Sequence, residues 1–203
     1  MKLFASLTSP YARKIRIVLA EKKLPFELVV DSPWEANTRI PTINPLGKVP
    51  VLITDAEEVF FDSPVIAGYL ETLDAGPALL PADRLATVQV RQSEALADGI
   101  TDAAVAALLE SRRPDGQRSD AEIARQKEKI ARGLAALEAR LGGRPWLHGD
   151  ALSLGDVAAG VALAYLDLRH PDIPWRAAHP ALKRYAEHLF ARPSFIDTTP
   201  PVG

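Results

Sequence analysis

The chain has 203 residues, 47% of them apolar and 25% charged, with a net charge of −2 and no cysteine. That balance describes a globular chain sized for one large or two small domains, and it argues against a polyanion such as nucleic acid as main partner. Without cysteine there are no disulfides, no thiolate metal sites and no nucleophilic thiol within the protein itself.

In chain order, Lys2 to Ala5 reads as a first strand. Thr8-Ser9-Pro10 is a helix start, with Ser9 near the N-cap and Pro10 suited to the first helical position. The helix carries Ile15, Val18 and Leu19 as an apolar stripe and is expected to hold Arg13, Lys14, Arg16 and Lys22 outside. Phe26 to Val30 is a second strand, and the helical spacer between the two makes a βαβ unit with parallel strands. Trp34 to Ile43 reads as a loop with a short helix. Val51-Leu52-Ile53 and Val59-Phe60-Phe61 form a hairpin around Asp55-Ala56-Glu57-Glu58, and Asp62-Ser63-Pro64 repeats the cap-plus-proline device.

Pro50 stands at the mouth of the Val51-Leu52-Ile53 strand, where it has no N–H for a ladder. It is either an ordinary edge-strand proline or a turn, with a cis bond open to it. A turn would leave the Val49 main chain free to pair with an extended peptide-like ligand, as in strand addition. Each helix start alone is most often only a cap. The two starts at Ser9-Pro10 and Ser63-Pro64, flanking Val49-Pro50, offer free N–H groups and partial positive charge. The ligand that fits is extended, peptide-like and anionic.

Glu71 to Pro81 is a linker by composition. Beyond it the pattern is helical: a first helix from Leu85 to about Arg113, a second from about Ser119 to Leu141, and a last from about Pro180 to Arg192. Ser153-Leu154-Gly155-Asp156 is a capping box with Leu152 and Val157 as its staple, a device for folding rather than catalysis. His148, His170, His179 and His188 show no metal spacing; they read as surface or helix-terminal side chains, and no metal is expected. Met1 to Ala5 is too short an apolar run for a secretory signal. Val157 to Leu166 falls short of the roughly 20 residues a membrane span needs. The expectation is a cytoplasmic protein with no membrane partner.

Three blocks keep the order and spacing of one family. They are Thr8-Ser9-Pro10-Tyr11 with Arg13 to Ile17, Asn44-Pro45-Leu46-Gly47-Lys48-Val49-Pro50-Val51-Leu52, and Asp62-Ser63-Pro64 before Ile66, Tyr69 and Leu70. Together they resemble the thioredoxin-like N-terminal domain of the glutathione transferase family, and the helical part extends the resemblance over nearly the whole chain. The resemblance implies an α/β thioredoxin-like domain with a mixed four-stranded sheet over 1–75 and a linker over 76–84. An all-helical domain over 85–203 would contribute the electrophile pocket.

It also implies glutathione as co-substrate, with no metal, in a homodimer. Val49 would pair with the cysteinyl part across a cis Val49-Pro50 bond, Asp62 and Ser63 would hold the γ-glutamyl end, and Lys48 is placed for the glycyl carboxylate. Ser9 matches the thiol-activating serine of the serine-type, theta- or zeta-like bacterial classes, and Tyr11 becomes a wall of the second-substrate pocket. Two departures stand out: Asp62 replaces the Glu or Gln of many relatives, and no cysteine follows Ser9, which excludes glutaredoxin-like exchange through a protein sulfur. The implied activity is addition of glutathione to a small hydrophobic electrophile, or its use in peroxide reduction, dehalogenation or isomerisation. The alternative is a non-catalytic regulatory or interaction protein resembling the stringent starvation proteins, which need not keep the intact set of Ser9, Val49-Pro50 and Asp62-Ser63.

Overall fold

The computed structural model describes residues 1–201. Its elements are β1 (Lys2–Ala5), α1 (Pro10–Glu21), β2 (Glu27–Val30), α2 (Ile40–Ile43), β3 (Val51–Ile53), β4 (Val59–Phe60) and α3 (Ser63–Thr72). There follow α4 (Arg84–Ser111), α5 (Asp120–Leu141), α6 (Leu154–Arg169), α7 (Trp175–Ala178), α8 (Pro180–Phe190) and α9 (Pro193–Ile196). They form two compact units: Met1–Leu80 together with the described segment from Arg192, and Pro81–Ala191.

In the first unit the sheet order is β2-β1-β3-β4, with β1 parallel to β2 and antiparallel to β3, and β3 antiparallel to β4. This is the expected mixed four-stranded sheet. The parallel pair needs a crossover, and α1 supplies it. Ile15, Val18 and Leu19 are buried as the stripe requires, and α1 packs against α3, which buries Ile66, Ala67 and Leu70.

The charged side of α1 departs from expectation. Arg13, Lys14 and Lys22 are buried rather than outside, and only Arg16 keeps partial exposure. Partners remote in sequence explain two of them. Arg13 donates to Phe195 O at 3.1 Å and Thr198 Oγ1 at 3.4 Å. Burial, with the neighbouring Arg16 charge adding to it, pulls its guanidinium down to about 10, so it stays charged at neutral pH. Lys22 Nζ donates to Pro77 O at 3.2 Å and pairs with Glu71 at 3.0 Å, while the other oxygen of Glu71 accepts from Leu79 and Leu80 N–H. Those bonds tie the stretch that reads as a linker onto the first unit, up to Leu80.

The segment from Arg192 also joins this unit, although the sequence reading places it in the helical domain. Phe195 is buried, which contributes about 1.5–3 kcal/mol. Glu21 receives both Arg192 Nε and Nη2, at 2.8 and 2.7 Å, and the Ser194 hydroxyl. Burial works against the Glu21 carboxylate, but the bonds from Arg192 and Ser194 outweigh it and hold its pKa below the ordinary value. A depressed carboxylate stabilises the fold above the unfolded-state pKa, and that stability is lost as pH falls through the folded-state value. Glu21→Gln is therefore expected to cost about 1–2 kcal/mol at neutral pH. The difference from the parent should shrink towards zero below about pH 4, read as urea midpoints across that range. A gap unchanged in acid would contradict the ion-pair account.

The second unit is built on α6, which is buried continuously from Leu154 to Leu163 and apolar on all sides, as a central helix must be. It runs parallel to α4. Gly155 at its start faces α4 so closely that a Cβ there would stand 3.0 Å from Ser93 Cβ and 3.4 Å from Val90 O. At its far end the His170 Nε2–H donates to Ala104 O at 2.9 Å. The capping box is formed as expected, with Ser153 and Asp156 bonding reciprocally. Fully buried Asp156 also accepts from Leu147 N at 2.8 Å and from the Tyr185 hydroxyl at 2.6 Å.

The remaining histidines are held locally. His148 meets the Ser93 hydroxyl at 2.6 Å, His179 pairs with Glu138 at 2.7 Å, and His188 stands edge-on to Trp146. No described helix is long and apolar enough to cross a membrane.

Candidate functional site

The site begins with a five-residue turn. The buried Asn44 side chain braces Asn44–Lys48 at its middle and far end: its Nδ2 donates to Lys48 O at 2.8 Å, and its Oδ1 accepts from Leu46 N at 3.0 Å. Gly47 N donates to Asn44 O at 2.8 Å, and Gly47 lies at φ +61°, a left-handed conformation that glycine adopts without a Cβ penalty. The turn delivers Val49 in front of β3, and the Val49-Pro50 bond is cis. Val49 lies outside β3 and its backbone takes part in neither ladder of that strand.

Register fixes what faces it. Leu52 pairs with Phe60 and Ile53 with Val59. Carried on past the ladder, the same register sets Pro50 across from Asp62 and brings Val49 beside the start of α3. On the other side Phe4 pairs with Val51, so the chain leaving β1 passes Pro50 before it turns into α1. The ends of β1 and β3 and the starts of α1 and α3 thus meet at one end of the sheet.

The two helix starts differ. Ser9 is the N-cap of α1, and its Oγ accepts from Ala12 N–H at 3.3 Å. That bond uses the oxygen and leaves the hydroxyl proton to be donated elsewhere. In α3 the N-cap is Asp62 and not Ser63, which becomes the first helical residue, with Pro64 second. The Asp62 carboxylate makes no capping bond. Ser63 is buried, yet among the described residues its hydroxyl has no hydrogen-bond partner. Neither helix has an acidic residue within its first turn, so the positive end of each dipole is not offset from inside. The stacked rings of Phe60 and Tyr69, 4.3 Å apart, fasten α3 to β4.

Of the other residues singled out, Lys48 is exposed, and its ammonium has no partner among the described residues. Tyr11 is half-buried in the first turn of α1. Asn44, which holds the turn, is the positioning residue that sequence reasoning passed over; the Asn-Pro pair and the following Gly47 were its signal. Among the described residues no cluster of three or more His, Cys, Asp or Glu is arranged to hold a metal ion.

Residues 8–73 match the family model for the glutathione S-transferase N-terminal domain, and residues 120–188 match that for the glutathione S-transferase C-terminal domain. An Escherichia coli K12 protein named uncharacterized GST-like protein YibF is 44% identical over 201 residues, covering 99% of each chain. Two solved structures are similar throughout. A glutathione S-transferase from Methylobacterium radiotolerans, in complex with glutathione sulfonate, aligns with TM-score 0.93 at 46% identity, covering 98% of this chain and 94% of its own. One from Methylobacillus flagellatus with glutathione bound aligns with TM-score 0.96 at 43% identity, covering 98% and 99%.

Proposed function

Because this chain belongs to the glutathione S-transferase family, we propose that its first unit binds glutathione and that Ser9 activates the thiol for attack on a small electrophile. The observation that carries the reading is the conjunction of an open Val49 main chain with an unengaged Asp62 carboxylate and Ser63 hydroxyl at the start of α3. Glutathione is an extended peptide with a carboxylate at each end and an ammonium at one. Its cysteinyl residue pairs with the Val49 backbone. The γ-glutamyl carboxylate takes the Ser63 hydroxyl and the free N–H groups of α3, Asp62 accepts from the ammonium, and Lys48 offers charge to the glycyl carboxylate. The two relatives with glutathione or its sulfonate bound support this placement on the same fold.

The chemistry follows from the thiol. Free thiols have a pKa near 8.5, so only about 3% is thiolate at pH 7. Lowering the pKa by about two units takes roughly 2.7 kcal/mol of preference for the charged form. A hydroxyl donating to an anion supplies about 1.5–3 kcal/mol, and a helix N-terminus adds about 0.3–1. Ser9, at the start of α1 with its proton uncommitted, fits that requirement as a donor to sulfur and not as a base. The thiol proton leaves to solvent, and the sulfur lone pair forms the new bond to the electrophile as a π bond of the electrophile breaks, its electron pair taking up a proton from solvent, or as a leaving group departs with the electron pair of its bond.

The test is an ultraviolet pH titration of glutathione with the protein, reading thiolate absorbance against each component alone. A bound thiol titrating well below 8.5 is the expected result. Saturable binding with an unshifted thiol would remove the Ser9 mechanism, and no binding by calorimetry would favour the interaction-protein reading. Asp62→Ala and Ser63→Ala are each expected to raise the glutathione Kd about tenfold, the loss of one charge-assisted hydrogen bond. Calorimetric titration measures this, and unchanged affinity in both variants would move the γ-glutamyl end elsewhere.

A further inference from the structure

Arg13 and Arg16 are three residues apart on α1 and share the face that receives the segment from Arg192. Thr198 brings the two guanidiniums together. Arg13 Nε donates to its hydroxyl oxygen and Arg16 Nη1 to its carbonyl, each at 3.4 Å. The next residue, Thr199, donates its hydroxyl to Phe195 O at 3.2 Å, and Arg13 Nη2 donates to that same oxygen at 3.1 Å. Two donors on one acceptor stand no more than about 6 Å apart. We propose that Thr199 is a phosphorylation site whose phosphate is held by Arg13 and Arg16. Nothing in this depends on the glutathione reading.

Neither arginine meets a carboxylate among the described residues. Arg13 is 7% exposed, and a cation so buried is ordinarily paired with an acid. Arg16 reaches only the carbonyls of Thr198 and Asp197, both at 3.4 Å; Asp197 offers its carbonyl and not its carboxylate. The acid at the end of the same helix, Glu21, is committed to Arg192 and Ser194. A guanidinium carries five N–H donors, so these bonds leave more than half of the donors unused. Holding the segment accounts for the bond from Arg13 to Phe195 O. It does not account for a second cation beside it, set on long bonds with no acid.

Thr199 suits the role better than its neighbour. Thr198 is buried and its hydroxyl donates to Ser194 O at 2.7 Å, whereas Thr199 is exposed. Pro200 and Pro201 follow it with no N–H to donate, and a proline biases the residue before it towards extended backbone, the form that fits a kinase cleft. In the transfer, Thr199 Oγ1 attacks the γ-phosphorus of a nucleoside triphosphate. The new P–O bond forms, and the bond to the β-phosphate oxygen breaks with its electron pair leaving on the nucleoside diphosphate. The hydroxyl proton passes to the kinase's base. The product brings about two negative charges and three acceptor oxygens to a position that had one donor. A bond to a neutral carbonyl is exchanged for charge-assisted bonds to two guanidiniums, which fasten the segment from Arg192 to α1.

The experiment uses the full chain and a protein kinase chosen because it phosphorylates a free peptide of residues 194–201 at Thr199. Peptide mass mapping should find the phosphate on Thr199 of the folded chain. Its phosphorus-31 resonance, identified by its absence from Thr199→Val, is then titrated with pH. The second phosphate pKa is ordinarily about 6, and the two cations should hold it lower by about half a unit or more. Urea should restore the value of the free peptide. Arg16→Gln should return the midpoint most of the way to that value with circular dichroism unchanged, and Arg13→Gln should move it the same way. The proposal is overturned if the kinase leaves Thr199 of the folded chain unmodified, if folded and urea-unfolded midpoints coincide, or if Arg16→Gln titrates as the parent does. Saturable binding of inorganic phosphate to the folded chain, with Thr199 left unmodified, would assign the arginines to a free ion and overturn it as well.

Discussion

Replacement of Ser9 by alanine is expected to lower glutathione-dependent turnover about 10- to 100-fold, while the Kd for glutathione changes less than about threefold. The first figure is the loss of one hydrogen bond to a charged sulfur, about 1.5–3 kcal/mol. The second follows because backbone pairing at Val49 and the charges at the start of α3 are untouched by the substitution. Ser9 Oγ also accepts from Ala12 N–H, so the variant loses an N-cap worth about 1 kcal/mol of stability. Ser9→Asn restores a cap without restoring a hydroxyl, and separates the two effects. The bound thiol should titrate near its free value in Ser9→Ala and in Ser9→Asn alike. Equal losses of binding and turnover, or a thiol pKa still depressed in both variants, would take the activating role away from Ser9.

The second large effect concerns folding. Asp156 is fully buried and accepts from Leu147 N, Ser153 N, the Ser153 hydroxyl and the Tyr185 hydroxyl. Tyr185 is held well above its ordinary pKa, by burial first and then by the Asp156 charge and hydrogen bond, so it remains a neutral donor. Asp156→Ala strands several buried donors at once, at about 1–3 kcal/mol each, and an expected total on the order of 4 kcal/mol or more. Domains are stable by about 5–15 kcal/mol, so the variant brings the second unit close to unfolding. Tyr185→Phe removes one bond of the set and should cost about 1 kcal/mol. Trp146 and Trp175 are both buried in this unit, and their fluorescence in urea reports the transition. If the two substitutions cost the same, the network is not what closes the start of α6.

Short-range signals were legible in the sequence. The β1 and β3 strands, the Ser9 cap and the Ser153–Asp156 box each depend on residues within four positions, where capping and alternation operate. At the site, the same local chemistry placed Val49-Pro50 and both helix starts. It misjudged which residue caps α3, because Asp62 and Ser63 are both capping types and Pro64 fits either of the first two helical positions. Burial of charge was not legible. Arg13 and Lys22 occupy positions that read as solvent-facing, and their partners at Phe195, Thr198, Glu71 and Pro77 lie 49 to 185 residues away. A pattern with period 3.6 registers the charge but not the distant group that neutralises it. Short α7 and α9 were missed because four residues carry too little periodicity to count.

The return of the segment from Arg192 to the first unit bears on the order in which the protein is made. A chain emerging from the ribosome presents Met1–Leu80 early, yet Arg13 and Glu21 wait for partners translated after all of Pro81–Ala191. The first unit to be synthesised is the last to be completed. Exchange of units between relatives meets the same constraint: a chimera joined only at Leu80 pairs Glu21 with a foreign clamp. One that carries residues 1–80 and the segment from Arg192 together keeps it.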